Sequence, residues 1–237
     1  MKTRNLLAAA LVVTAFASCE KDKDDQPKND VKVFEPVVAF NTNPGSNYVE
    51  VGNQYNVQKG CYLDLIGGRA RNLDSAKRHP YSIDLIFLAP NDGQNAYYLM
   101  TPAYSRSGAG ANAMWGSNST ENPVKSWSGV NESEIAATDL TATDFYNVST
   151  NSQLSAAVQG ADDFSGNYVS AGGVKLTGQV FAVKLNMDNR ALQALILIVD
   201  HLGTSGTTGY LKIIVKVTGI DTNNDGKPDN NGYRSRL

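Results

Sequence analysis

Ala191-Leu192-Gln193-Ala194-Leu195-Ile196-Leu197-Ile198-Val199-Asp200, and then Tyr210-Leu211-Lys212-Ile213-Ile214-Val215-Lys216-Val217, decide the fold. The first run has nine residues before its aspartate and contains Gln193. Crossing a bilayer takes about 20 apolar residues, so this is an internal strand and not a membrane span. The second run is β-branched and alternates, which sets Lys212 and Lys216 on one face. Asp188-Asn189 ahead of the pair and Gly203-Thr204-Ser205-Gly206 within it are turn signals. Two strands joined by a tight turn pair antiparallel.

Working outward, the same period-2 pattern bounded by Gly, Asn, Asp and Pro predicts strands over 37–40, 48–57, 62–66, 82–89, 96–101 and 180–186. Helical pattern is thin. A short helix is predicted over 151–159, capped by Asn151 or Ser152 with Leu154 and Val158 at i, i+4, and a helical turn over 73–79 stops at Pro80. Strands separated by short turns, without regular intervening helices, predict an all-β fold. The expected form is an antiparallel β-sandwich or barrel-like domain over 33–218, with one long loop insertion and at most one or two short helices. The closing strand and Ser82-Ile83-Asp84-Leu85-Ile86-Phe87 resemble uncharacterised secreted domains of Bacteroidota. That resemblance implies no activity.

The insertion runs over 102–144 and is rich in Gly, Ser, Asn and Thr. Connections this long are uncommon in compact domains and are usually functional or disordered. It holds both tryptophans, Trp115 and Trp127, with Tyr104 and Met114. Aromatic rings on a loop held by strands can stack on sugar faces while Asn, Ser and Thr reach hydroxyls, so Tyr104, Trp115 and Trp127 are the candidate ligand-binding residues. The competing expectation is that both tryptophans anchor the loop onto the sheet.

The N-terminus reads as an address. Lys2 and Arg4 precede a largely apolar stretch of 11 residues over 6–16, and the small residues Ala17 and Ser18 lead into Cys19. Phe16-Ala17-Ser18-Cys19 resembles the lipobox of bacterial lipoproteins, with Phe16 where Leu is usual. The polar stretch over 20–30 cannot bury apolar surface and reads as a solvated tether. Within it, Cys19-Glu20-Lys21-Asp22 resembles the export signal of Bacteroidota surface lipoproteins. The resemblance implies a signal peptide over 1–18, lipidation at Cys19, a linker over 19–32, and anchoring on the outer face of the outer membrane. Cys61 is then left without a partner and, in a strand-like setting, is expected to be a buried small hydrophobe.

Composition narrows the chemistry. The chain has 237 residues with 21 Lys+Arg against 23 Asp+Glu. Removing residues 1–18, which carry Lys2 and Arg4 and no acid, leaves 19 against 23 and a net charge of −4. No excess of basic residues exists to neutralise phosphates, which argues against nucleic acid. Two His and two Cys leave few catalytic residue types, and no G-x-S-x-G elbow, zinc spacing, P-loop or dinucleotide fingerprint is present. A hydrolase would need paired carboxylates from Glu50, Glu132, Glu134, Asp64 and Asp84. A haem carrier would draw axial ligands from His79, His201, Met100 and Met114.

The sharpest motif lies in the Asp/Asn/Gly-rich tail over 219–237. Asp221-Thr222-Asn223-Asn224-Asp225-Gly226-Lys227-Pro228-Asp229 fits the first nine positions of a calcium loop. Asp221, Asn223, Asp225 and Asp229 are its candidate Ca²⁺ ligands, since alternate residues aim oxygens at one centre and Gly226 allows the sharp turn. It resembles the loops of EF-hand, dockerin and thrombospondin-type repeats, although position twelve is Gly232 where a bidentate Glu belongs. Together these features predict a lipid-anchored surface protein acting as a non-catalytic binding module, for glycan or a protein partner. The alternative is a structural or adhesin-type envelope protein.

Overall fold

The computed structural model describes residues 48–89, 96–116, 122–161, 163–164, 167–172, 176–187, 190–203 and 206–219. Among the described residues ten strands form two antiparallel five-stranded sheets, neither closed into a barrel. The first sheet runs β1 (Val49–Gly52), β10 (Tyr210–Val217), β9 (Arg190–Leu202), β8 (Val180–Met187) and β6 (Glu134–Ala137). The second runs β3 (Arg69–Arg71), β2 (Tyr62–Asp64), β4 (Leu85–Leu88), β5 (Ala96–Met100) and β7 (Tyr168–Gly172). At the corners of the sandwich β1 lies against β3, and β6 against β7.

β9 and β10 pair from Tyr210↔Leu202 to Val217↔Ala194, as their sequences demand. One shift breaks the ladder: Lys212 faces Asp200 while Ile213 faces Ile198, which leaves Val199 as the extra residue of a bulge. β8 and β9 pair from Val180↔Leu197 to Met187↔Arg190. The expected strand over 37–40 lies outside the described residues.

Side-chain parity builds the layers. Leu85 and Phe87 of β4, Tyr97 and Leu99 of β5, and Ile213, Val215 and Val217 of β10 point between the sheets. The opposite parity is also buried: Ile86, Leu88 and Met100 on the outside of the second sheet, and Leu195, Leu197 and Ile214 on the outside of the first. Each outer face carries a helical lid. Helices α4 (Ala142–Asn147) and α5 (Asn151–Gln159) cover the first sheet with Phe145, Val148, Leu154 and Val158. The second sheet is covered by α1 (Leu73–Arg78), α2 (Pro102–Ser107), α3 (Ala111–Met114) and the 3₁₀ turn Pro123–Ser126.

The all-β sandwich is therefore present, but two details of the expectation need correction. Among the described residues there are five short α-helices where one or two were expected. The stretch 102–144 is not a loop; it holds α2, α3, a 3₁₀ turn and β6, and runs into α4. Both corrections have one cause. Short polar residues that read as loop chemistry act as helix caps: Asn72, Thr101, Thr141 and Thr150 each accept a backbone N–H of the first turn. The helix over 151–159 has the predicted bounds, yet its cap is Thr150 in a capping box with Gln153, not Asn151 or Ser152.

Candidate functional site

Pro102 stands at the start of α2 with Thr101 as cap, and this fixes how the former loop leaves β5. From there the chain folds back over the outer face of the second sheet and buries both tryptophans, each 3% exposed. The Tyr62 ring packs against both indoles, 5.3 Å from Trp127 and 6.4 Å from Trp115. Trp115 Nε1 donates to Ser105 Oγ at 3.1 Å. Trp127 Nε1 has no partner among the described residues. Neither indole stands out as an exposed stacking face, so Trp115 and Trp127 are corrected from stacking residues to lid anchors. The apolar area of an indole is worth more against the sheet than in water.

Tyr104 behaves differently. Its ring is half-buried on α2 and lies 5.1 Å from Tyr168 at an interplanar angle of 34°. Tyr168 in turn meets Tyr98 at 6.0 Å, edge to face. Tyr98 and Met100 share the outward parity of β5, and Tyr168 pairs with Met100 across the ladder, which brings the three rings into one cluster. Gly108 makes room for it: a Cβ there would lie 2.2 Å from a Tyr104 ring carbon. The Tyr104 hydroxyl donates to Ala109 O at 2.7 Å. Burial, with the neighbouring Tyr168, pushes its pKa above the usual phenol value, so it remains a donor at any physiological pH. Sequence reasoning found Tyr104 and missed its companions. Tyr98 could have been read from the parity of its strand, whereas nothing local marked Tyr168.

Two of the candidate acids, Asp64 and Asp84, are held inside the fold. Asp64 is fully buried and accepts from Arg71 Nη2 at 2.8 Å, Arg69 Nε at 3.1 Å and Gly67 N at 2.8 Å. A Cβ at Gly67 would sit 2.6 Å from an Asp64 carboxylate oxygen, so the turn requires glycine. Asp84, equally buried, accepts from Leu65 N and from Asn131 Nδ2, both at 2.7 Å. These carboxylates tie turns to strands.

The candidate haem ligands do not converge. Met100 and Met114 lie in the layer under the second lid. His201, 1% exposed, sits edge-on to Tyr97 at 4.3 Å and to Phe87 at 6.2 Å between the sheets, and its Nδ1 accepts from Leu176 N. His79 is exposed at the end of α1. Cys61 is buried as expected, and burial pushes its thiol up to about 12. Cys19 and the calcium-loop residues Asp221, Asn223, Asp225 and Asp229 lie outside the described residues. Among the described residues no group of three or more His, Cys, Asp or Glu gathers to hold a metal, and no helix is long and apolar enough to cross a membrane. No protein-family model, curated protein or solved structure matches this chain.

Proposed function

We propose that this protein is a lipid-anchored, surface-exposed module that binds extracellular glycan without catalysis. The observation that carries the reading is the tyrosine cluster of Tyr98, Tyr104 and Tyr168, three half-buried rings held together where the second sheet meets α2, while both tryptophans are buried. A half-buried phenol combines an apolar face for the C–H side of a pyranose with a hydroxyl for its edge. Rings fixed by a strand and a capped helix lose little entropy on binding. That Asp64 and Asp84 are both locked in structural hydrogen bonds supports the non-catalytic part of the reading.

The resemblance of 16–22 to a lipobox and surface export signal supports an anchor at Cys19 in the outer membrane of a Bacteroidota-type envelope. The spacing of Asp221, Asn223, Asp225 and Asp229 supports calcium in the tail. The alternative, an envelope assembly protein that exchanges strands, needs an open sheet edge.

Affinity electrophoresis of the purified protein through gels containing neutral polysaccharides, with and without Ca²⁺, tests the reading. The wild type should be retarded by at least one polysaccharide. Tyr104→Ala and Tyr168→Ala should each weaken retention about tenfold, equivalent to about 1.4 kcal/mol. Full mobility in every gel would overturn the glycan reading. Labelled palmitate should enter the protein in cells and be lost with Cys19→Ala; no labelling of the wild type would overturn the anchor.

A further inference from the structure

Away from the tyrosine cluster, the turn after β1 and the start of α1 line an open hollow of about 200 Å³, with Trp115 and Pro123 also in its wall. Its size matches one ring: an engineered cavity of about 150 Å³ takes up benzene, while drug-sized ligands need about 300 Å³ or more. No Asp, Glu, Lys, Arg or His lines it, so a charged ligand would lose its hydration with no counter-charge in return.

The walls are fixed by their own hydrogen bonds. Asn53 Oδ1 accepts from the N–H groups of Tyr55 and Asn56, and its Nδ2 donates to Gly206 O. Gln54 accepts from Ala89 N and donates through Nε2 to Trp115 O at 3.3 Å. That nitrogen keeps a second N–H. Asn72 spends its oxygen on capping α1 at Ser75 N, while its Nδ2 donates to no described residue. The hollow thus offers amide N–H donors open to solvent, which a ligand carbonyl can engage. Beside them stand two conspicuous apolar side chains, Val57 at 76% and Leu73 at 41% exposure. Both line the hollow and give its rim an apolar side.

An acetamido group satisfies both demands at once, its carbonyl accepting from an amide and its methyl covering Val57 and Leu73. We infer that this hollow is a second ligand site, which takes a single neutral N-acetylated pyranose. The ligand class rests on the glycan reading above; the place does not depend on the tyrosine cluster.

The test titrates the isotope-labelled full chain with methyl N-acetyl-β-glucosaminide and with methyl β-glucoside, followed by NMR. The acetylated sugar should bind at least tenfold more tightly and shift resonances of 53–57 and 72–73. Val57→Asp, at a position open to water, and Asn72→Asp, which keeps the cap oxygen and removes the amide donor, should each weaken it at least tenfold. Equal affinity for the two glycosides, or unchanged binding in both variants, would overturn the site. Shifts confined to Tyr98, Tyr104 and Tyr168 would overturn it too, while leaving the glycan reading in place. An absence of shifts anywhere, together with free mobility in the polysaccharide gels, would remove both.

Discussion

Single residues in this chain show how much a buried polar atom depends on its surroundings. Lys216 sits on a strand that alternates like a surface strand, yet it is 2% exposed. Its ammonium donates to Val148 O at 2.6 Å and Tyr146 O at 3.2 Å and lies 4.9 Å from the Phe145 ring centre. A cation against the last carbonyls of a helix is well placed, so α4 and the strand beneath it are joined through this side chain. Cys61 illustrates the opposite case, an ionisable group kept neutral. Its thiol rises from an ordinary 9.0 to about 12, chiefly through burial. The unfolded chain therefore releases this proton first. Cys61 contributes stability that is complete below pH 9 and declines as pH climbs toward 12, by up to about 1.4 kcal/mol per pH unit. Urea titrations at pH 8 and pH 10 should show a steeper loss for the wild type than for Cys61→Ala, and identical slopes would contradict it. A thiol reagent at pH 8 should label Cys61 only once urea has unfolded the protein.

At the scale of elements, the lids are the feature that a strand-centred reading undervalues. Phe145 is fully buried over Val180, Ala182, Leu195 and Leu197. Phe145→Ala should cost about 3–5 kcal/mol, as for other large core truncations. Thr150→Ala, which removes only the cap of α5, should cost about 1 kcal/mol. Urea denaturation checks both, and a Phe145→Ala loss under 1 kcal/mol would mean that α4 is not part of the core. The sequence already held a sign of these lids. β9 shows nearly continuous apolar residues, with Ala194, Ile196 and Ile198 facing the sandwich core and Leu195 and Leu197 facing outward. A strand of a simple sandwich would alternate with polar residues. Apolar residues of both parities mean that both faces are covered, and among the described residues only the polar connections can supply the cover. Long strands were legible because burial writes a period into them. β3 (Arg-Ala-Arg) and β6 (Glu-Ile-Ala-Ala) were not, because strands this short are held by their neighbours rather than by their own pattern. The candidate site was legible only at Tyr104. Whether an aromatic ring ends inside or outside depends on which way its connection folds, and no local period records that.

For the whole molecule, the decisive fact is that the layers share strands. β4 places Leu85 and Phe87 between the sheets and Ile86 and Leu88 under the second lid. β9 does the same beneath α4 and α5. Losing either lid would expose side chains whose strand also builds the central core, and the β1 pairing of Val49 with Ile213 ties the described ends together. The four layers should therefore unfold as one cooperative unit. The experiment is favoured by the position of the tryptophans. Trp115 and Trp127 both lie under the second lid, so their fluorescence reports that lid alone, whereas far-ultraviolet circular dichroism reports mainly the sheets. Denaturant curves from the two probes should coincide. Pairing between residues so distant in sequence also predicts refolding over milliseconds to seconds rather than microseconds. If fluorescence changed at a lower denaturant concentration than dichroism, the second lid would be an independent flap. The tyrosine cluster, whose Tyr104 belongs to that lid and whose Tyr98 and Tyr168 belong to the sheet, would then lose its fixed geometry, and a rigid stacking face could no longer explain binding.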